Sequence, residues 1–290
     1  MEKQIKVSII VPAYNVEDYI EACLNSLVNQ TLEEIEIIIV NDGATDSTPQ
    51  IIEKYAQKDS RIKIINQKNQ GQASARNRGI EASVGEFIGF IDSDDYVDLE
   101  YFEKLYATAK KNNADMTIAS ILKHKKDYLK YNAKYTKFEI AEKIKDKIKL
   151  CADKKKRFFY VWNKLCKTNV IKNNNIFFPE GQVFEDVIFS AKVVYYSNKI
   201  VSVPDINYHY IERIGSTVKS KLSEKKINDR KTAYCELQDF AKEKGFKLPE
   251  RLNYYESYWK NPLIKIYNGK YQEKFMLFGV IPIFKRLKND

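Results

Sequence analysis

The chain has 290 residues, 44% of them hydrophobic and 30% charged, enough for one large or two modest domains with a real core. Cys23, Cys151, Cys166 and Cys235 form no CxxC pair, which argues for reduced thiols and against a disulfide framework or zinc site; no 18-residue apolar run or apolar leader is present, so neither a membrane span nor export is expected. The net charge of +10 is uneven: residues 1–120 hold 12 Lys/Arg against 20 Asp/Glu, and the remainder 37 against 19. An acidic half suited to a cation therefore precedes a basic half suited to nucleic acid, an anionic membrane or an acidic glycan, with plain solubility as the alternative.

Residues 7–11 are an apolar run stopped by Pro12, which predicts a buried strand. A helix over 16–29 follows, capped by Asn15, with Glu17 and Asp18 in its first turn. Residues 35–40 read as a second strand ending at Asn41-Asp42-Gly43; Asp46 is expected to cap the next helix, with Pro49 in its opening turn. Residues 61–66 supply a third strand and 72–82 a helix entered through Gly71. A strand over 86–91 runs into Asp92-Ser93-Asp94-Asp95, before a helix at 98–112 and a strand at 115–120. This alternation predicts an α/β fold, a mostly parallel sheet with helices on both faces.

Beyond residue 121 the pattern weakens. Residues 123–157 are rich in Lys and Tyr, with one helix expected near 138–150. Residues 184–196 show helical spacing behind Glu185 and Asp186, 200–203 a short strand ended by Pro204, and 223–244 another helix. The tail is apolar over 275–284 and basic over 285–288; too short to span a bilayer, residues 274–288 either dock on the domain or touch an anionic membrane surface.

Four strand ends carry chemistry. Side chains at i and i+2 of an extended segment point the same way, so Asp92 and Asp94 can share one ion, and such hard oxygen ligands suit Mg²⁺ or Mn²⁺. The rival reading makes Asp98 a helix cap with loose acidic residues before it. Val11-Pro12-Ala13-Tyr14-Asn15 offers an aromatic ring on which a base can stack, or a plain turn. Asp42 can accept from a ribose hydroxyl or a base N–H, or cap a helix. Gly71 with Arg76 and Arg78 suits an anion at a helix N-terminus, and equally a solvated surface helix. No GxGxxG or GxxxxGK[ST] occurs, which weakens a dinucleotide fold or a P-loop.

As a set, VSIIVPAYN, IIIVNDGATDST, GQASARNRGI and FIDSDD strongly resemble glycosyltransferase family 2 over about the first 120 residues. One departure is Asn41, where an Asp is frequent in the family. Fainter echoes follow in Trp162-Asn163-Lys164-Leu165, in Phe184-Glu185-Asp186, and from Tyr208-His209-Tyr210 through Arg213, Gly215 and Ser216. The QxxRW motif of processive synthases is missing, so a single-addition enzyme is expected.

The resemblance implies a GT-A type (Rossmann-like) fold, inversion at the anomeric carbon, a nucleotide-sugar donor (UDP most often) and a glycan or lipid-linked glycan acceptor in surface polysaccharide synthesis. It implies Mn²⁺ or Mg²⁺ held by Asp92, Asp94 and Asp95, and Asp186 as catalytic base with Glu185 as its rival. Pro12, Tyr14, Asp42, Arg76 and Asp92 would line the donor. Trp162 would face the acceptor or belong to the core; His209 would approach the metal or be structural. Residues 1–120 would form the nucleotide-sugar half, 121–220 the acceptor side, and 221–290 a helical basic region with an apolar tail. A cytoplasmic location is expected, with peripheral contact on the inner membrane face as an option. The competing classes are a sugar-phosphate nucleotidyltransferase, which wants a Gly-rich basic loop where Pro12-Ala13-Tyr14-Asn15 stands, and a nucleic-acid-binding module. No nucleic acid is expected, since no helix-turn-helix, RRM or zinc-finger signature appears.

Overall fold

The computed structural model describes residues 4–125, 127–151, 160–212, 223–249, 264–268, 272–277 and 281–287. They fall into two compact units, Met1–Ala233 and Tyr234–Asp290. In the first unit β1 (Val7–Ala13) and β2 (Ile35–Asn41) are buried at every position, as expected of near-continuous apolar strands covered on both faces. They are followed by β3 (Ile62–Asn66), α3 (Gln72–Ala82), β4 (Phe87–Phe90), β5 (Tyr96–Val97), α4 (Tyr101–Asn112) and β6 (Met116–His124), with α1 (Ile20–Val28) and α2 (Thr48–Ala56) between the first three strands. β7 (Leu129–Ala133), β8 (Ile140–Ala141), α5 (Ile144–Cys151), β9 (Lys164–Lys167), α6 (Thr168–Lys172), α7 (Asp186–Tyr196) and β10 (Ile200–Ile211) come next, and α8 (Glu224–Glu243) crosses the boundary between the units.

The ten-stranded sheet runs β3-β2-β1-β4-β9-β6-β10-β5, with β7 on β6 and β8 on β10. β3, β2, β1 and β4 are parallel to one another, as are β6 and β10. β9 is antiparallel to both β4 and β6 and joins the two parallel parts. α3 packs on β1 and β2, and α4 on β6 and β10. The four cysteines are free, three of them buried. No helix among the described residues is long and apolar enough to cross a membrane.

Several local expectations change. Asn15 does not cap α1: it sits at φ 47°, its Oδ1 accepts from the Thr45 N–H at 2.8 Å, and the helix starts at Ile20. Asp46 accepts from the Thr48 N–H at 3.0 Å, although the N-cap position itself is Ser47. Asp98 caps nothing, because the Asn207 N–H donates to its Oδ2 at 2.8 Å and draws it toward β10. β10 runs through Pro204 instead of ending there, with a bulge between Ser202 and Asn207 and Asp205 at φ 52°. A bulge is where a strand tolerates proline. The helix expected near 138–150 is β8 followed by α5.

In the second unit, the helical region expected over 221–290 gives way after α8 to an antiparallel sheet. Its strands are β11 (Ile264–Asn268), β12 (Gln272–Leu277) and β13 (Ile281–Leu287), with Phe275 paired to Ile266 and Phe284. The β-branched and aromatic residues of IKIYN and IPIF, with Asn-Gly at 268–269, favour strands and a turn.

Gly79 sets how closely α3 approaches β1: a Cβ there would overlap the Ile10 side chain. Gly79→Ala is expected to lower unfolding stability by about 1–3 kcal/mol in urea titration, the usual cost of overpacking. An unchanged midpoint would show that Ile10 yields freely.

Candidate active site

Parallel register brings three strand ends to one edge. Ala13 is level with Asn41, and Ile10 with Phe90, so Tyr14, Asp42 and Asp92 all leave the sheet on that side. Tyr14 stands 45% exposed, and Pro12 behind it is buried in β1. Asp42 is buried and accepts from Gln67 Nε2, Gln70 N and Gly71 N, each at 2.8 Å. Its carboxylate thereby closes the turn into α3, which Gly71 enters at φ 90°. Asn41 uses both ends of its amide: Nδ2 donates to Asn66 Oδ1 at 2.9 Å, and Oδ1 accepts from Ala44 N at 3.0 Å. An aspartate there could not donate, which gives the departure at this position a structural use.

α3 carries Arg76 beneath the edge. The buried guanidinium donates through Nη1 to Glu185 Oε1 at 2.7 Å and through Nη2 to Asp92 Oδ1 at 2.8 Å, and it lies 5.3 Å over the Phe178 ring. Burial opposes the charge on Arg76, but Asp92, Glu185 and Asp186 outweigh it and hold the group more basic than usual. One arginine fork thus ties the tip of β4 to the start of α7.

Asp92, Asp94 and Asp95 place carboxylate oxygens within 4.8 Å of one another. Asp95 is buried and held by β10: Tyr208 Oη donates to Oδ2 at 2.7 Å and the Ile211 N–H to Oδ1 at 2.7 Å. Burial, then the charges of Asp94 and Asp92, push its pKa well above the usual carboxylate range. Tyr208 Oη also accepts from the Asp92 N–H at 3.2 Å. Asp92 and Asp94 are half-buried. Such an all-oxygen, multiply anionic donor set fits a hard divalent cation.

Facing this cluster, Phe184 takes φ 71°, a strained value for a bulky residue, immediately before Glu185 at the N-cap and Asp186 at the first turn of α7. Burial and the charge of Glu185 raise the Asp186 pKa to about 7, against the opposing pull of Arg76. Sequence reasoning gave no role to Lys164, a buried lysine whose charge also lowers the Asp186 pKa and whose own pKa burial depresses. Its Nζ donates to Asn163 Oδ1 at 2.9 Å and to the Tyr160 carbonyl. The available signal was its place in the Trp162-Asn163-Lys164-Leu165 segment.

Two expected site residues are placed otherwise. Trp162 is only 5% exposed and stacks with Tyr160 at 4.5 Å, Tyr208 at 4.3 Å and Tyr210 at 5.7 Å, so its ring lies in an aromatic stack behind the aspartates. His209 does not join the aspartates: Nε2 lies 2.6 Å from Asp98 Oδ1, Nδ1 2.8 Å from His124 Nε2, and the ring stacks on Tyr96 at 4.4 Å. Both ring nitrogens are already engaged. Arg213, Gly215 and Ser216 lie outside the described residues, as do parts of the 274–288 tail.

Residues 8–173 match the model of glycosyl transferase family 2. The putative glycosyltransferase EpsH of Bacillus subtilis is 40% identical over 220 residues, which cover 73% of this chain and 62% of that protein. The poly(ribitol-phosphate) beta-N-acetylglucosaminyltransferase TarS of Staphylococcus aureus is 31% identical over 71% of this chain and 35% of its own. The chain thus spans less than two thirds of the length of either relative. The crystal structure of S. aureus TarS residues 1–349 in complex with UDP-GlcNAc superposes with a TM-score of 0.66 at 28% identity, covering 80% of this chain and 66% of that one. The sheet is therefore of the GT-A type.

The Asp186 carboxyl binds its proton more tightly in the folded chain, near pH 7, than in the unfolded chain, where an aspartate titrates near its ordinary value of about 3.9. Between those values the native state holds more protons, so this group's contribution to stability is lost as pH rises. Asp186→Asn is expected to melt higher than the wild type at pH 8 in chelator, the gain shrinking toward pH 4 in a series of thermal melts. A difference independent of pH would contradict the assigned shift.

Proposed function

The chain belongs to glycosyl transferase family 2, and from that membership we propose an inverting enzyme that moves a sugar from a UDP-sugar to a hydroxyl of a glycan or lipid-linked glycan in surface polysaccharide synthesis. The observation that carries this reading is the Arg76 fork, which draws the Asp92 cluster and the Glu185-Asp186 pair to one edge of the sheet. The UDP-GlcNAc complex of TarS supports a uridine donor, and the poly(ribitol-phosphate) named for that enzyme supports a polymeric acceptor bearing hydroxyls.

In this reading Tyr14 stacks on the base from its exposed position at the end of β1 beside Pro12. Asp42 shapes the donor loop and offers its remaining lone pairs to the base or ribose. Asp92 and Asp94, with Asp95 braced behind them by Tyr208, would hold Mn²⁺ or Mg²⁺. When bound, the ion offsets negative charge on a departing diphosphate. Arg76 lies near the donor and orients Asp92 and Glu185.

Glu185 is tied to Arg76, so the proton-accepting role falls to Asp186. As the acceptor oxygen bonds to the anomeric carbon and the bond to the diphosphate breaks, the hydroxyl proton passes to its carboxylate. The transition state is oxocarbenium-like, and a base with a pKa near 7 is matched to neutral pH. A cytoplasmic location, with peripheral contact of residues 274–288 on an anionic membrane, accompanies this reading.

With a panel of nucleotide sugars and Mn²⁺, Asp186→Asn should retain UDP-sugar binding and lose transfer by roughly 10²–10⁴-fold. Unchanged turnover would reject the base assignment, and inertness of the wild type toward every nucleotide sugar would reject the reading itself.

A further inference from the structure

The β6–β7 hairpin presents a surface that sugar transfer does not account for. Most large apolar side chains exposed in the first unit are scattered, but Tyr128, Leu129 and Tyr131 are 53%, 58% and 40% exposed within four residues. Singly exposed apolar residues need no explanation, whereas a contiguous group marks a contact surface. Leu129 and Tyr131 share one face of β7, opposite His124 and Leu122 of β6.

The surrounding charge is mainly basic, with Glu212 paired to Lys123 beside it. Residues 121–138 contain six lysines and one acidic residue, Asp127. Lys125 Nζ lies 5.1 Å over the Tyr128 ring and Lys134 Nζ 4.8 Å over that of Tyr131, while Lys130 is exposed on the other face of the same edge strand. Two kinds of occupant suit an exposed edge strand with apolar side chains: another strand, or an interface between water and hydrocarbon. Lysines along an edge repel strand pairing, and lysine ammoniums beside tyrosine and leucine match anionic headgroups above acyl chains.

The hairpin also has a fixed relation to the site. Ile211 pairs with His124 at the end of β6 and donates its N–H to Asp95, so the hairpin leaves the sheet on the carboxylate side.

We propose that the β6–β7 hairpin docks on an anionic lipid surface, with Tyr128, Leu129 and Tyr131 among the headgroups and Lys125, Lys130 and Lys134 on their phosphates. This contact is separate from residues 274–288 and does not rest on the assigned reaction. Where the reaction also holds, the contact turns the carboxylate edge toward a lipid-linked acceptor.

The test is sedimentation of the full chain with vesicles of equimolar phosphatidylglycerol and phosphatidylcholine, against pure phosphatidylcholine. The wild type should bind the anionic vesicles preferentially and release them at high salt. The combined Tyr128→Ser, Leu129→Ser, Tyr131→Ser variant should bind about tenfold or more weakly, as should combined Lys125→Glu, Lys130→Glu, Lys134→Glu. Both should keep the wild-type melting temperature and the wild-type rate of UDP-sugar hydrolysis in free solution. Full binding by both variants, or binding abolished only by Lys285→Glu with Arg286→Glu, overturns the proposal. So does a wild type that ignores anionic vesicles. A wild type that self-associates through this edge without binding lipid also overturns it, in favour of a second copy of the chain.

Discussion

Mutual repulsion among carboxylates is the constraint on which this structure turns. Asp92, Asp94 and Asp95 lie within 4.8 Å of one another, and the Glu185-Asp186 pair approaches from α7. Two like charges about 4 Å apart in partly buried surroundings cost about 4 kcal/mol. Total folding stabilities are only about 5–15 kcal/mol, so such a cluster has to be relieved. Arg76 relieves part of it by bridging Asp92 and Glu185, and a raised pKa relieves part at Asp95 and Asp186. The residual negative charge on the carboxylates is what a divalent cation would neutralise.

The fold holds this crowding together through long-range contacts. Parallel pairing of β1 with β2 and β4 aligns the strand ends that carry Tyr14, Asp42 and Asp92. β10 passes its bulge at Pro204 and returns to parallel register beside β6, which delivers Tyr208 and Ile211 to Asp95. Trp162 supports that tyrosine from below by stacking, and Phe184 turns the chain so that α7 begins with its acidic pair facing inward. The site is therefore assembled from three strand ends and two helices, and the buried Arg76 fork ties one of those strand ends, at Asp92, to the start of α7.

Much of the first half was legible from residue order alone. Apolar runs reaching Pro12, Asn41 and Asp92 mark buried strands, although β1 continues through Pro12 to Ala13, and α3 starts and stops where its glycine entry and spacing indicate. The second half was not, because its geometry depends on partners distant in sequence. β9 is four residues long and owes its existence to β4 and β6 on either side. His209 offers metal-ligand chemistry in isolation, but the chain places Asp98 and His124 against both of its nitrogens. Nor does residue order show that Trp162 stacks among Tyr160, Tyr208 and Tyr210, because the partners of that stack come from separate segments of the chain. The C-terminal strands are hard to read from the sequence because their basic and apolar residues do not alternate cleanly.

The most direct test of the central claim is a thermal-shift titration of the full chain with Mn²⁺ and UDP, comparing wild type with Asp94→Asn. The account predicts that metal and nucleotide together stabilise the wild type, that neither does so fully alone, and that the variant loses most of the joint shift. Equal shifts in both proteins, or sugar transfer that persists undiminished in chelator, would contradict it.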